Sequence, residues 1–205
     1  KNKGYSLLNI GGLAVGIACA ALILLWVEDE LTYNHYFSNR DNLYKIKDSQ
    51  TYDGTTYTFD ATPGPLAKAM KAEIPGIKNT ARTTWGENML FAQGDKIIYE
   101  QGMFVDAPFL TMFQLEFVKG TAGNAFTQQH SLVITETMAN KFFGTTDVIG
   151  KNIKVDNKQD YIVSGVIKDL PENVSFRFNW LASFGLFEQE NTWLEHWGNN
   201  SIATF

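Results

Sequence analysis

LLNIGGLAVGIACAALILLWV, residues 7–27, holds one polar side chain, Asn9, and no charged one. Coiled as a helix it would be about 31 Å long, close to the hydrocarbon thickness of a bilayer. Lys1 and Lys3 precede it, and Glu28, Asp29 and Glu30 follow it. Basic residues favour the cytoplasmic side, so the flanks predict an inside N-terminus and an outside body. Tyr5 and Trp26 stand near the two ends, where amphipathic rings prefer the interface. A cleaved signal peptide has a shorter apolar core followed by a small-residue cleavage site. Here the small run Ala18–Ala21 is followed by LILLWV, and cleavage there would leave an apolar tail. A lipoprotein signal at Cys19 fails for the same reason. The stretch reads as a retained span.

Within it, Gly12, Gly16 and Ala20 recur at four-residue spacing. Small residues at that interval let a second helix approach closely enough for van der Waals packing that lipid cannot match. Glycine is also common in membrane helices generally, so the spacing is an expectation and not a proof. Cys19, the sole cysteine, reads as a small apolar residue, and disulfides play no part. Beyond the span, Leu24, Val27 and Leu31 continue on one stripe, and no glycine or proline occurs before Gly54. The helix is therefore expected to leave the membrane as a stalk over residues 28–37, reaching towards Tyr36.

Of the 205 residues, 44% are hydrophobic and 19% charged, a globular mixture and not a disordered or collagen-like one. The net charge is −5, and since residues 1–27 hold two lysines and no acid, the rest carries −7. A body of that sign repels phosphate backbones, so nucleic acid is excluded as a partner. LYKIK (43–47) alternates and reads as a strand, with TTYTF (55–59) as its hairpin partner across Asp53-Gly54. Pro63 and Pro65 open a helix whose Leu66, Met70 and Ile74 share a face before Pro75-Gly76 ends it. Extended runs at 81–92 and 96–105 meet at the turn Gln93–Lys96, and FLTMF (109–113) forms a short helical turn. SLVIT (131–135) is a strand, and Thr135 caps a helix from Glu136 to Phe143 that Gly144 closes, with Met138 and Phe142 buried. IKV (153–155) and YIVSGVI (161–167) form a hairpin around Asp156–Lys158, and RFNWLASF (177–184) is a last strand. The fold class is α+β: hairpins interrupted by single helices.

No catalytic signature is present. The chain has no GxxxxGK[ST] phosphate loop, and Gly11-Gly12 with Gly16 lies inside the span. His35, His130 and His196 have no ligand at i+3 or i+4, so no metal site is expected. No GxSxG elbow surrounds Ser164 or Ser183. The carboxylates Asp106, Glu116, Glu136 and Asp169 are scattered. Phe104, Phe109, Phe113 and Phe117 could line a groove, but a packed core is the ordinary outcome for such a cluster. No cofactor is expected.

The string NIGGLAVGIACAALILLWVEDELTYNHYF (9–37) resembles the first transmembrane helix and stalk of FtsX-like/MacB-type ABC transporter permeases, especially a Bacteroidetes-like branch. NLYKI (42–46), PGPLAKAMKAEIPGI (63–77), VDAPFLTMFQLEFVKG (105–120), SLVITETMANKFFG (131–144), IGKNI (149–153) and YIVSGVIKDLPENVSF (161–176) extend the likeness through a MacB-like periplasmic core domain. Asn34 stands where that branch usually has an aspartate. The resemblance implies a non-catalytic permease subunit of the mechanotransmission type, relaying the motion of a separate cytoplasmic ABC ATPase to an extracytoplasmic domain. That relay would serve efflux, export or lipoprotein release.

It also implies a second permease copy or homologue, membrane lipid, and a periplasmic partner or cargo, in the bacterial inner (plasma) membrane with residues 38–205 periplasmic. Residues 1–6 would be a cytoplasmic flank, 7–27 the span and 28–37 the stalk. Residues 38–92 would be the first half of a Porter-like subdomain, 93–184 a Sabre-like subdomain, and 185–205 the return towards an incomplete Porter. The elbow helix and further spans of the family are missing, so a fragment cut at both ends is expected. The site residues expected are Gly12, Gly16 and Ala20 for helix packing, and Leu24, Val27 and Leu31 for coupling through the stalk.

Two other classes compete. A single-span ligand sensor would need cytoplasmic signalling sequence, and a membrane-anchored periplasmic enzyme would need a cleft with convergent polar groups.

Overall fold

A computed structural model describes residues 3–205. Lys1, one of the two lysines in the charge argument, lies outside the described residues, as does Asn2 of the expected 1–6 flank. The chain divides into two compact units. The first comprises the N-terminal helix and its turn through Tyr36, together with Pro171–Ser175. The second comprises Phe37–Leu170 and Phe176–Phe205.

In the first unit a single helix, α1 (Lys3–Leu31), takes in both the span and most of its flank. Its aliphatic and alanine-rich sequence has no proline, and its side chains are exposed except at half-buried Val27. It stops earlier than the expected stalk. The Thr32 hydroxyl turns back onto the Glu28 carbonyl at 2.8 Å, and Asn34 takes a left-handed φ of 61°. A short polar side chain tolerates that conformation, so the helix ends without a glycine or proline. The stalk is thus helical only to Leu31, and residues 32–36 are turns.

The second unit begins with the hairpin β1 (Asp48–Tyr52) and β2 (Thr55–Phe59), paired from Asp48↔Phe59 to Tyr52↔Thr55. The partner of 55–59 is therefore 48–52 and not LYKIK. Residues 43–47 form no strand, and their contacts are isolated ones such as Ile46 N–H to the Thr204 carbonyl, 2.9 Å. Next come β3 (Thr62–Pro63), α2 (Leu66–Glu73) and β4 (Arg82–Thr83). The inward residue of α2 is Ala67, with Leu66 and Met70 half-buried, while Ile74 is exposed past the helix end.

β5 (Glu87–Gln93) and β6 (Lys96–Val105) form an unbroken hairpin. Then follow α3 (Pro108–Met112), β7 (Phe117–Lys119), β8 (Ser131–Thr135), α4 (Glu136–Phe143), β9 (Asn152–Val155), β10 (Gln159–Ile167), β11 (Trp180–Ser183), α5 (Phe184–Glu190) and β12 (Asn200–Thr204). The last strand is shorter than RFNWLASF suggested: Phe184 already belongs to α5.

The pairings close a ring of six strands, β5–β6–β11–β8–β10–β9 and back to β5. Two joints are parallel: β8 with β10, and β6 with β11. Closure leaves no open edge within the ring. β4, β12 and β3 extend from β6, so residues 200–204 pair with 62–63 and 82–83. The division expected at residue 92 falls inside the β5–β6 hairpin. Alternate residues of the ring strands, Phe91, Ile153, Val155, Val163, Leu132, Ile134 and Trp180, are buried in one core, which α4 covers with Met138, Ala139 and Phe142. Thr135 accepts from Met138 N–H at the start of α4, and Gly144, at φ 72°, closes it.

Candidate coupling site

On α1, Gly12, Gly16, Ala20, Leu24, Val27 and Leu31 fall within an arc of about 120° at 100° per residue. Asn9, the polar residue of the span, lies in the same arc. Side chains built at Gly12 or Gly16 would meet nothing within 4 Å. Leu24 and Leu31 are exposed, at 68% and 70%. The structure thus puts the expected packing and coupling residues on one open face of one helix.

The turn after α1 holds residues that sequence reasoning misses. Asn34 donates its backbone N–H to the Asn173 carbonyl at 2.9 Å, and its side-chain oxygen accepts from Ser175 N–H at 2.8 Å. Its amide nitrogen donates to the Ser175 hydroxyl at 2.5 Å. Asn173 in turn donates to the Thr32 hydroxyl at 3.1 Å. The side-chain partners are 141 residues apart in sequence, so no local pattern announces them. In the sequence Asn34 stands out only as a departure from the family's usual aspartate.

The second unit contains two polar networks. Arg82, 7% exposed, bridges Asp106 on one side and Glu188 on the other, with its guanidinium 4.3 Å from the Phe184 ring centre. Burial opposes the charge of Arg82, but the hydrogen bonds it donates to Asp106 and Glu188 outweigh that and raise its pKa. The bond to Arg82 holds Glu188 below its usual carboxylate range. Buried Glu100 accepts from Lys141 and from Asn179, each at 2.5 Å. Burial, then the charges of Glu190 and Asp156, push the Tyr161 phenol up to about 12.

Both networks are internally matched, acids against bases and amides. His35 and His196 are exposed, and His130 packs edge-on against Tyr161 at 5.2 Å. Among the described residues no three His, Cys, Asp or Glu side chains gather as a metal site.

The aromatic cluster divides. Phe109 and Phe113 sit 4.3 Å apart, and with Phe37, Phe176 and Phe205 they form one packed group. Phe104 packs instead against Trp180 and Phe187, and half-buried Phe117 covers Gly165. These rings are core, not a groove.

A search of curated proteins finds no match. Among solved structures, the chain is similar to a domain of a protein described as a permease from Porphyromonas gingivalis, at 25% identity and a TM-score of 0.63. That match covers 78% of this chain and 69% of the other. The periplasmic region of MacB from Actinobacillus actinomycetemcomitans matches at 15% identity and a TM-score of 0.54, over 70% of this chain and 63% of that one. The extracellular domain of the noncanonic ABC-type transporter YknZ from Gram-positive bacteria matches at 16% and 0.52, over 70% and 72%. The last two likenesses concern the fold alone. A family model, the MacB-like periplasmic core domain, matches residues 6–199, which include most of α1 and all six strands of the ring. The chain belongs to the family of the MacB-like periplasmic core domain.

Proposed function

We propose that this chain is the first membrane helix and outer domain of a permease subunit of the mechanotransmission type. A separate cytoplasmic ABC ATPase supplies the work, a second permease copy or homologue packs against the Gly12–Gly16–Ala20 face, and α1 carries the motion outward. The observation that carries this reading is the continuity of α1: one helix runs from the apolar span through Val27 to Leu31 without interruption. Its internal hydrogen bonds make it stiff enough to transmit a tilt or shift. In the same reading residues 38–92 and 185–205 are Porter-like and 93–184 Sabre-like, with the β5–β6 hairpin crossing between them. The N-terminus lies in the cytoplasm and residues 38–205 in the periplasm, as the charge asymmetry favours.

Inserting Gly-Gly after Val27 tests the relay. It costs about 2 kcal/mol of helix propensity and rotates the outer end of α1 by about 200° relative to the span. In the full-length permease with its ATPase, the outer domain should stay protease-resistant while transport is lost. Full transport by a folded insertion variant would reduce α1 to a tether. Topology is checked in a Cys19→Ala background, where an impermeant thiol reagent should label Ser38→Cys and not Lys3→Cys in intact cells.

A further inference from the structure

The chain passes between its two units at three places: Tyr36–Phe37, Leu170–Pro171 and Ser175–Phe176. Covalently, α1 needs only the first. The other two exist because residues 171–175 belong with the helix, and the bonds that hold them there centre on Asn34. Its backbone N–H and both side-chain polar atoms are engaged with Asn173 and Ser175, and Asn173 reaches back to Thr32. On the far side of the same crossings the pattern repeats within the second unit. Phe37 and Phe176, the first residues after two of the crossings, stack with ring centres 5.4 Å apart. Both belong to the aromatic group with Phe109, Phe113 and Phe205. Two chain segments remote in sequence are therefore fastened to each other just before and just after they cross.

We infer that Thr32, Asn34, Asn173 and Ser175 form a latch that makes α1 act on the outer unit through three chain crossings instead of one, with Asn34 as the positioning residue. This rests on the mechanotransmission reading. A single crossing of unlatched backbone is a swivel, because each residue keeps two soft dihedrals. Three crossings, two of them fastened on both sides, restrict rotation as well as translation, which a tilt of α1 needs if it is to arrive as a tilt. Asn34 suits the position twice over: its φ of 61° turns the chain out of the helix, and its amide supplies both an acceptor and a donor to Ser175. Asn34→Gly keeps the turn and removes both side-chain bonds. Asn34→Asp keeps the bonds, since a carboxylate accepts from both the N–H and the O–H of Ser175.

The test uses the full-length protein in lipid nanodiscs, first without ATPase or nucleotide. Amide exchange is read at Ser175, and nitroxide distances are read between Leu22→Cys and Lys154→Cys in a Cys19→Ala background. In Asn34→Gly the Ser175 amide should exchange about tenfold faster, and the distance distribution should broaden. The melting of the outer unit should not move, and Asn34→Asp should match the wild type throughout. Unchanged exchange at Ser175, a distribution as narrow as the wild type's, or an Asn34→Asp variant as loose as Asn34→Gly would each overturn the latch. With the ATPase present, Asn34→Gly should lower transport roughly tenfold while nucleotide hydrolysis continues. If the distribution broadens and transport is unaffected, the latch stands and the mechanotransmission reading fails instead.

Discussion

Gly102 has no side chain because Trp180 occupies its space: a Cβ there would overlap both the indole ring and the Trp180 carbonyl. The indole N–H donates to the Glu100 carbonyl at 2.8 Å, so the ring cannot swing away without losing that bond. Gly102→Ala should therefore destabilise the outer unit by about 3 kcal/mol, the upper end of overpacking, as measured by urea unfolding. Glu188 offers a pH test. Its pKa is held below the ordinary 4.5, chiefly by the bond to Arg82, so its contribution is present above pH 4.5 and is lost as pH falls through its lower folded value. Glu188→Gln should cost roughly 1 kcal/mol at pH 7, and its deficit against the wild type should close as the pH is taken below 4.5. Neither Gly102 nor Glu188 stands out in the sequence. A glycine inside a strand signals some close approach, but not to which ring, and an acid on a helix carries no hint of a buried arginine 106 positions away.

Among the elements, α4 was legible at both ends because every signal agreed. Thr135 caps it, Gly144 closes it, and Met138 and Phe142 recur at helical spacing on the buried side. The strand expected at LYKIK failed because alternation marks only a chain that has two faces. It cannot say which neighbour the strand meets, and the ladder to β2 starts at Asp48. The end of α1 failed for a different reason: asparagine also tolerates the left-handed turn that follows a helix, without the compositional mark of glycine. The face of α1 makes its own prediction. If a second helix packs on this arc, as proposed, a Leu in place of Gly16 would hold it off. Gly16→Leu should weaken assembly of the full permease in detergent by cross-linking or mass measurement, whereas Ile17→Leu, outside that arc, should not. Equal assembly by both variants would remove the packing role from Gly12, Gly16 and Ala20.

On the scale of the whole chain, stability should be uneven. β8 and β10 lie in the closed ring, and their Val133, Ile134, Val163 and Val166 are fully buried. β1 and β2 form a separate two-stranded sheet whose side chains are mostly exposed, and such hairpins are marginal alone. Hydrogen exchange should show β8 and β10 protected to the limit of global unfolding, and the β1–β2 amides open at least about a hundredfold more often. Uniform protection across both would mean that something further covers the hairpin.

The amino-acid sequence alone determined the properties that depend on near neighbours. These are the apolar length and flanks of residues 7–27, the common stripe through Leu31, the capped helix 136–143, and the hairpins at 93–96 and 156–158. Hydropathy, helical period and turn chemistry act within a few residues, so they are written locally. Tertiary structure alone decided which strands remote in sequence lie beside each other. The parallel joints of β8 with β10 and β6 with β11 close the ring, and the Asn34–Ser175 bonds gather residues 171–175 to α1. Those choices depend on the burial of side chains contributed from distant segments and on hydrogen-bond groups that find each other only after the chain has folded.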